Sequence, residues 1–305
     1  MNLQDIFSIL PEKVEREVKR ISDYNDLQEI RVKVNKPLII QIGKREIISN
    51  YIVTKEDLRK SFNVMSGYSI YSVEDELKQG YITIKGGHRV GICGDCVLEG
   101  NKIKTIKSIS SLNIRICKEI IGCSNSIIKK ITHNNTIFNT IIISPPNCGK
   151  TTLLRDITRN ISYGMNNIDF KGKKVCVIDE RSEIGACLNG INQMDIGIRT
   201  DIMDNCPKSI GIMMAIRSMA PEVIICDEIG TYEDIKSILT AVNCGVKLVT
   251  TIHGFGIEDL FKRDVFKDAI NNNVFERAIV LSGKNGMGTV EYIYNFYTKE
   301  IERGL

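Results

Sequence analysis

Ser144-Pro145-Pro146-Asn147-Cys148-Gly149-Lys150-Thr151-Thr152 decides how this chain is read. It follows an apolar, β-branched run, Ile137 to Ile143, and precedes a segment of helical character, Leu153 to Tyr163. A strand, a tight loop and a helix opening on Gly-Lys-Thr form the setting that a phosphate-binding loop requires. Backbone N–H groups of such a loop face the β-phosphate, with the positive end of the helix dipole behind them. Lys150 is expected to reach the β- and γ-phosphates as a point charge, and the Thr151 hydroxyl to ligate Mg²⁺. Ser144 stands where the usual G-x-x-x-x-G-K-[ST] pattern has its first Gly. That Gly relieves crowding where the strand turns, so Ser144 implies a different entry into the same cradle. The whole run, with Pro145, Pro146, Asn147, Cys148 and Thr152, is the expected nucleotide-binding stretch.

Outward from this stretch, strand and helix alternate from Thr136 onward, the rhythm of an α/β domain with a parallel sheet. Strands are expected at Thr136–Ser144, Lys174–Asp179, Val223–Asp227, Lys247–Ile252 and Arg277–Leu281, with a last one at Val290–Asn295. Helices are expected at Lys150–Tyr163, Pro207–Met219, Tyr232–Val242 and Ile257–Lys262. The strands are nearly continuous apolar runs, as when both sheet faces are covered.

Before residue 130 the pattern differs. Leu3 to Ile21 has helical spacing interrupted by Pro11. Strand-like runs follow at Leu27–Val34, Pro37–Ile42 and Glu46–Ile48, then a helix at Thr54–Met65 with Thr54 as N-cap and Asp57 three residues on. Another helix is expected over Tyr71–Gly80, and a Gly-dense β-rich stretch over Tyr81–Ile116. These predict a smaller N-terminal α+β domain (1–130) with an antiparallel sheet, ahead of a P-loop domain (131–305) that opens soon after a short helix, Ser124–Thr132.

Val223-Ile224-Ile225-Cys226-Asp227-Glu228 is the second strong signal. An apolar strand ending in Asp-Glu after a P-loop reads as a Walker B element. Asp227 is expected to hold Mg²⁺, and Glu228 to orient or polarise an attacking water. The strand Lys174–Asp179 also ends in acids, Asp179-Glu180-Arg181-Ser182-Glu183. In a parallel sheet these ends share one edge, so Asp179 and Glu180 could join Glu228 around a γ-phosphate. Thr250-Thr251-Ile252-His253-Gly254 ends the next strand on that edge. His253 could sense the γ-phosphate or a neighbouring subunit, or be a satisfied structural group.

A P-loop, an acidic box, a Walker B strand and a Thr-Thr-x-His box, in this order, resemble the secretion-ATPase superfamily of type II and type IV secretion and pilus motors. Arg217-Ser218-Met219-Ala220-Pro221-Glu222-Val223-Ile224 is similar to that family's Arg-x-x-x-Pro-Asp lead into Walker B. A sporulation ATPase branch from endospore-forming bacteria is more similar still. That likeness rests on Gly86-Gly87-His88-Arg89-Val90-Gly91, Asp179-Glu180-Arg181-Ser182-Glu183-Ile184, Arg199-Thr200-Asp201 and Arg217-Ser218-Met219, and it spans most of residues 80 to 256. Besides Ser144, Asp179-Glu180 departs by inverting the Glu-Asp order of the secretion-motor acidic box. Which acid does catalytic work therefore stays open.

The resemblance implies a RecA-like domain hydrolysing ATP with Mg²⁺, assembled as a homo-hexameric ring in the mother-cell cytoplasm. There it would energise a sporulation channel at the membrane facing the forespore, attached through membrane-embedded partners. A cation supplied across a subunit interface often completes a γ-phosphate transition state. Arg89, Arg115, Arg181, Arg199 and Arg217 are the candidates. The first domain of secretion motors contributes arginines to nucleotide, which by resemblance favours Arg89 and Arg115.

Composition agrees with a globular protein: 305 residues, 43% apolar and 26% charged. No basic n-region or long apolar run is visible, so the chain is expected to stay in the cytoplasm. The ten cysteines are scattered, several in apolar runs, which suits reduced thiols. A lone Cys93-x-x-Cys96 near His88 lacks the second ligand pair of a zinc site. A RecA-like nucleic-acid motor would share the ATP site but should carry a basic stripe with interleaved aromatics. The net charge is only +4 and aromatics are 6%. No nucleic-acid partner is therefore expected. An ATP-binding assembly switch without turnover would not need Glu228.

Overall fold

The computed structural model describes residues 3–21 and 26–303. The chain divides into two compact units, Met1–Glu119 and Ile120–Leu305.

The first unit opens with two short helices, α1 (Gln4–Phe7) and α2 (Glu12–Lys19), separated at Pro11 because its ring cannot sit inside a helix. Strands β1 (Leu27–Lys33), β2 (Pro37–Ile42) and β3 (Arg45–Ile52) follow, then helices α3 (Lys55–Met65) and α4 (Glu74–Gln79). Strands β4 (Tyr81–Ile84), β5 (His88–Glu99) and β6 (Lys102–Arg115) complete an antiparallel sheet in the order β3-β2-β1-β6-β5-β4. Burial alternates along β5 from His88 to Ile92, so one face is packed and the other wetter. Val14 and Val18 of α2 and Leu58 and Phe62 of α3 join Ile30, Val90 and Ile114 in one core. Thr54 caps α3 as expected: its hydroxyl accepts from Asp57 N at 3.2 Å, and Asp57 Oδ2 accepts from Thr54 N at 2.9 Å.

The second unit begins with α5 (Asn125–Ile131) and a two-residue pairing of β7 (Thr132–His133) with β8 (Thr136–Ile137). The sequence reading draws the boundary near residue 130. The difference is α5, whose entry at Ser124 is bonded to Asp156 of the second unit. Next come β9 (Thr140–Ser144) and α6 (Lys150–Tyr163), a small hairpin of β10 (Gly164–Met165) and β11 (Phe170–Lys171), then β12 (Val175–Asp179) and β13 (Thr200–Asp204). Helix α7 (Lys208–Ser218) leads to β14 (Val223–Cys226), α8 (Tyr232–Asn243) to β15 (Lys247–His253), and α9 (Ile257–Phe261) and α10 (Lys267–Asn271) to β16 (Arg277–Ser282), β17 (Thr289–Asn295) and β18 (Ile301–Glu302).

The main sheet runs β13-β12-β14-β15-β9-β16-β17-β18. It is parallel from β13 to β16 and antiparallel beyond. Strand β15 thus separates the P-loop strand β9 from β14, the order of a RecA-like domain. Every residue of β9, β12 and β14 is buried, as their unbroken apolar runs require. Strand β13 was not anticipated. It is an edge strand of mixed character (Thr-Asp-Ile-Met-Asp), mostly half-exposed, and without a second covered face it has no apolar run to betray it. Among the described residues no helix is long and apolar enough to cross a membrane.

Candidate active site

Parallel strands present all their C-terminal ends at one sheet edge, and there the candidate side chains of the second unit meet. Strand β9 delivers the stretch Ser144–Thr152. Its last residue, Ser144, is buried and donates its hydroxyl to the carbonyl of Pro145 at 2.9 Å, so a Ser is housed where Gly is usual. Pro146 and Asn147 are exposed, and Asn147 (φ 58) and Gly149 (φ 82) turn the chain through the left-handed region. Space favours Gly149 as well. A Cβ there would lie 3.1 Å from Gly288 N and 3.3 Å from Gly288 Cα. Helix α6 then starts at Lys150, aiming its unpaired first N–H groups, Thr151 and Thr152 included, at the loop.

Lys150 is buried, yet its ammonium has partners: Glu228 Oε1 at 2.9 Å and Asp227 Oδ1 at 3.5 Å. Thr151 Oγ1 donates to Asp227 Oδ2 at 3.1 Å. Strand β14 ends at Cys226, which is in register with Thr250 of β15. The next residues on each strand therefore meet, and the Thr251 hydroxyl donates to Asp227 Oδ1. Glu228 sits at φ 48, an uncommon conformation for a residue with a side chain. Its N–H is held by Asp227 Oδ1 at 2.9 Å and Thr251 Oγ1 at 3.0 Å, which fixes that turn.

The Glu228 carboxylate has three nitrogen-bearing side chains beside it. Besides Lys150, it has His253 Nε2 at 2.6 Å from Oε1 and Arg181 Nη1 at 2.9 Å from Oε2. Burial works against its ionisation, but the hydrogen bond and charge of Lys150, with Arg181 and His253, outweigh it. The carboxyl is held below its ordinary range.

Asp179 and Glu180 have other partners. Asp179 is buried and accepts three backbone bonds, from Glu183 N at 2.8 Å, Ile184 N at 2.8 Å and Gly185 N at 2.9 Å. Arg155 of α6 grips the same loop from its carbonyl side, donating to Ile184 O at 2.8 Å and Glu183 O at 2.7 Å. Together they pin the turn that carries Arg181. Glu180 is ion-paired with Lys208. Asp179 is thus engaged with the loop and Glu180 with α7, and of the three acids left open by the sequence it is Glu228 that touches Lys150.

Burial pushes the Asp179 carboxyl up to about 6, with Asp204 adding to the rise and the three N–H groups opposing it. Its unfolded value is about 4. Between the two the folded chain binds more protons, so the Asp179 contribution to stability is largest at low pH. It falls as pH rises through this window and is level above about 6. Urea unfolding of wild type against Asp179→Asn should show that slope, and a difference independent of pH across it would refute the shift.

Arg89 and Arg115 lie in the first unit as register partners on β5 and β6, with the Arg89 guanidinium 4.2 Å from the centroid of the Tyr81 ring. Arg199 is engaged locally, donating Nη1–H to Ser162 O at 2.9 Å, and Arg217 is exposed at the end of α7. Sequence reasoning missed Thr251 as the partner of Asp227, and missed Arg155. A Thr in a strand and an Arg in a helix carry no signal until register and packing pair them. It also missed Gly283–Gly288, whose Gly-rich spacing was the one available hint.

A family model described as Sporulation stage III, protein AA matches residues 2–301. Stage III sporulation protein AA of Bacillus subtilis (strain 168) is 40% identical over 295 residues, covering 96% of this chain and 95% of that protein. Among solved structures, the ATPase DotB of Legionella pneumophila superposes with a TM-score of 0.60 at 17% identity, over 89% of this chain and 76% of that one. The ATPase DotB of Yersinia pseudotuberculosis gives a TM-score of 0.63 at 13% identity, over 94% and 80%. The structural likeness shows a shared fold, with a RecA-like domain, between this chain and the two DotB proteins. With the family model and the Bacillus relative both spanning nearly its whole length, the chain belongs to the sporulation stage III protein AA family.

Proposed function

We propose that this protein is an Mg²⁺-dependent ATPase and that, as a homo-hexameric motor of the secretion type, it energises a channel or secretion complex between mother cell and forespore. The observation that carries the reading is the convergence of Lys150 and Thr151 from the P-loop with Asp227 and Glu228 from β14. Lys150 would transfer from Glu228 to the β- and γ-phosphates and neutralise charge there. Two hard oxygen donors, the Thr151 hydroxyl and the Asp227 carboxylate, suit Mg²⁺ and would hold it, and the ion would supply positive charge to the phosphates. Glu228 would orient the attacking water and accept its proton. His253 and Arg181, both on Glu228 here, would report the presence of the γ-phosphate. Arg89 and Arg115 are proposed to act on nucleotide, as the resemblance implies. The two DotB proteins, which share the fold, are ATPases by name, in keeping with turnover. Attachment to a membrane is assigned to partners, leaving the chain itself in the cytoplasm.

The test is phosphate release and oligomer size measured together, for wild type and Lys150→Ala, with and without double-stranded DNA. Turnover that rises with assembly, is lost in Lys150→Ala and ignores DNA is the expected result. Strong stimulation by DNA would favour a nucleic-acid motor instead. Tight ATP binding by an assembled wild type without turnover would leave a switch.

A further inference from the structure

The turn between β16 and β17, Gly283-Lys284-Asn285-Gly286-Met287-Gly288, packs on the phosphate-binding stretch. Strand β16 lies beside β9, with Val280 opposite Ile143, so the turn emerges at the same sheet edge as the P-loop. Gly288 N donates to Cys148 O at 2.9 Å. A Cβ on Gly149 would lie 3.1 Å from Gly288 N and 3.6 Å from Met287 C, and one on Gly283 would lie 3.5 Å from Cys148 Sγ. The turn is internally braced. Thr289 Oγ1 donates to Gly286 O at 2.8 Å, and Lys284 Nζ is 3.2 Å from Glu291 Oε2. Met287, next to Gly288 whose backbone makes the close approach, is 74% exposed.

Position relative to the acids gives this turn a direction. Asp227 and Glu228 directly follow β14 and His253 ends β15, on one side of β9, while β16 lies on the other. Lys150 and the metal-suited oxygens draw the γ-end of a triphosphate toward the β14–β15 side. The nucleoside, at the opposite end of the phosphate chain, is then directed toward the β16 side.

Resting on the ATPase reading, we infer that the Gly283–Gly288 turn is the nucleoside-facing wall of the site and that Met287 seats the nucleobase. The exposed thioether offers a polarizable, apolar surface to a flat aromatic ring, a contact that Met makes favourably. The close glycine–glycine approach fixes the height of that surface above the phosphates.

Equilibrium binding of ATP and of inorganic triphosphate, each with Mg²⁺, tests this on the full chain. Met287→Ser should weaken ATP binding about tenfold, the scale of one lost apolar contact, and leave inorganic triphosphate unchanged. Met287→Leu should bind both as wild type does. ATP affinity untouched in Met287→Ser would overturn the proposal. So would an equal loss for both ligands, because the turn would then act on the P-loop and not on the base. If wild type binds neither ligand, the ATPase reading itself fails and the wall falls with it; ATP bound normally in Met287→Ser would remove the wall alone.

Discussion

Glu228→Gln should lower ATP turnover by a factor on the order of 10² to 10⁴, the range for loss of a positioned general base. ATP binding should be retained or tightened. Gln keeps the length of the side chain and an oxygen that Lys150 can still reach, so the loop geometry should persist. What it lacks is a negative charge and a site for the proton of the attacking water. Here that charge is matched by Lys150 at 2.9 Å and Arg181 at 2.9 Å, with His253 Nε2 at 2.6 Å. Removing it also removes repulsion toward an incoming γ-phosphate, which is why affinity should not fall. Phosphate release at saturating ATP, with a separate binding isotherm, checks both halves. Unchanged turnover would strip Glu228 of the role proposed for it and reopen the choice among the acids.

The second large effect concerns stability. Asp156→Ala should destabilise the second unit by roughly 3–5 kcal/mol, the scale for removing one partner from a buried charged network. Asp156 is buried on α6 and accepts from Gly122 N at 3.0 Å, Ser124 N at 2.8 Å, Ser124 Oγ at 2.8 Å and Arg159 Nε at 2.9 Å. Ala would leave the buried Ser124 N–H, the half-buried Gly122 N–H and the Nε–H of Arg159 without this acceptor. Burial raises the carboxyl, but the backbone bonds from Gly122 and Ser124, with the Ser124 hydroxyl and Arg159, outweigh it and hold it low. Its contribution is therefore full above the ordinary carboxylate range and is lost as pH falls through the lower folded value. Urea unfolding at neutral pH measures the loss. A change below 1 kcal/mol would mean that water replaces the carboxylate at low cost.

Some of this protein was legible in its sequence because the cause is local. Gly149-Lys150-Thr151 after an apolar strand needs only backbone geometry and a helix terminus, and Asp227-Glu228 needs only a strand that ends. The Thr54–Asp57 cap and the break at Pro11 are set within a few residues in the same way. Alternating strands and helices then imply a parallel sheet with one shared edge, so the meeting of Lys150 with Asp227 and Glu228 could be expected before any distance was known.

Where several residues of the same type competed, local pattern had nothing more to say. Asp179 and Glu228 both end strands beside acids. Register and loop packing separate them: Asp179 is turned onto the N–H groups of 183–185, while Glu228 is turned onto Lys150. Thr251 finds Asp227 only because β14 and β15 align Cys226 with Thr250. Arg181 reaches Glu228 from a loop that Arg155 and Asp179 hold between them. The Gly283–Gly288 turn meets the P-loop across more than a hundred residues of chain. Sequence by itself determined the chemistry available at the sheet edge, because residue type and local spacing suffice for that. Tertiary structure alone decided which of those groups face one another, because the partners are distant in the chain and are brought together by strand order and register.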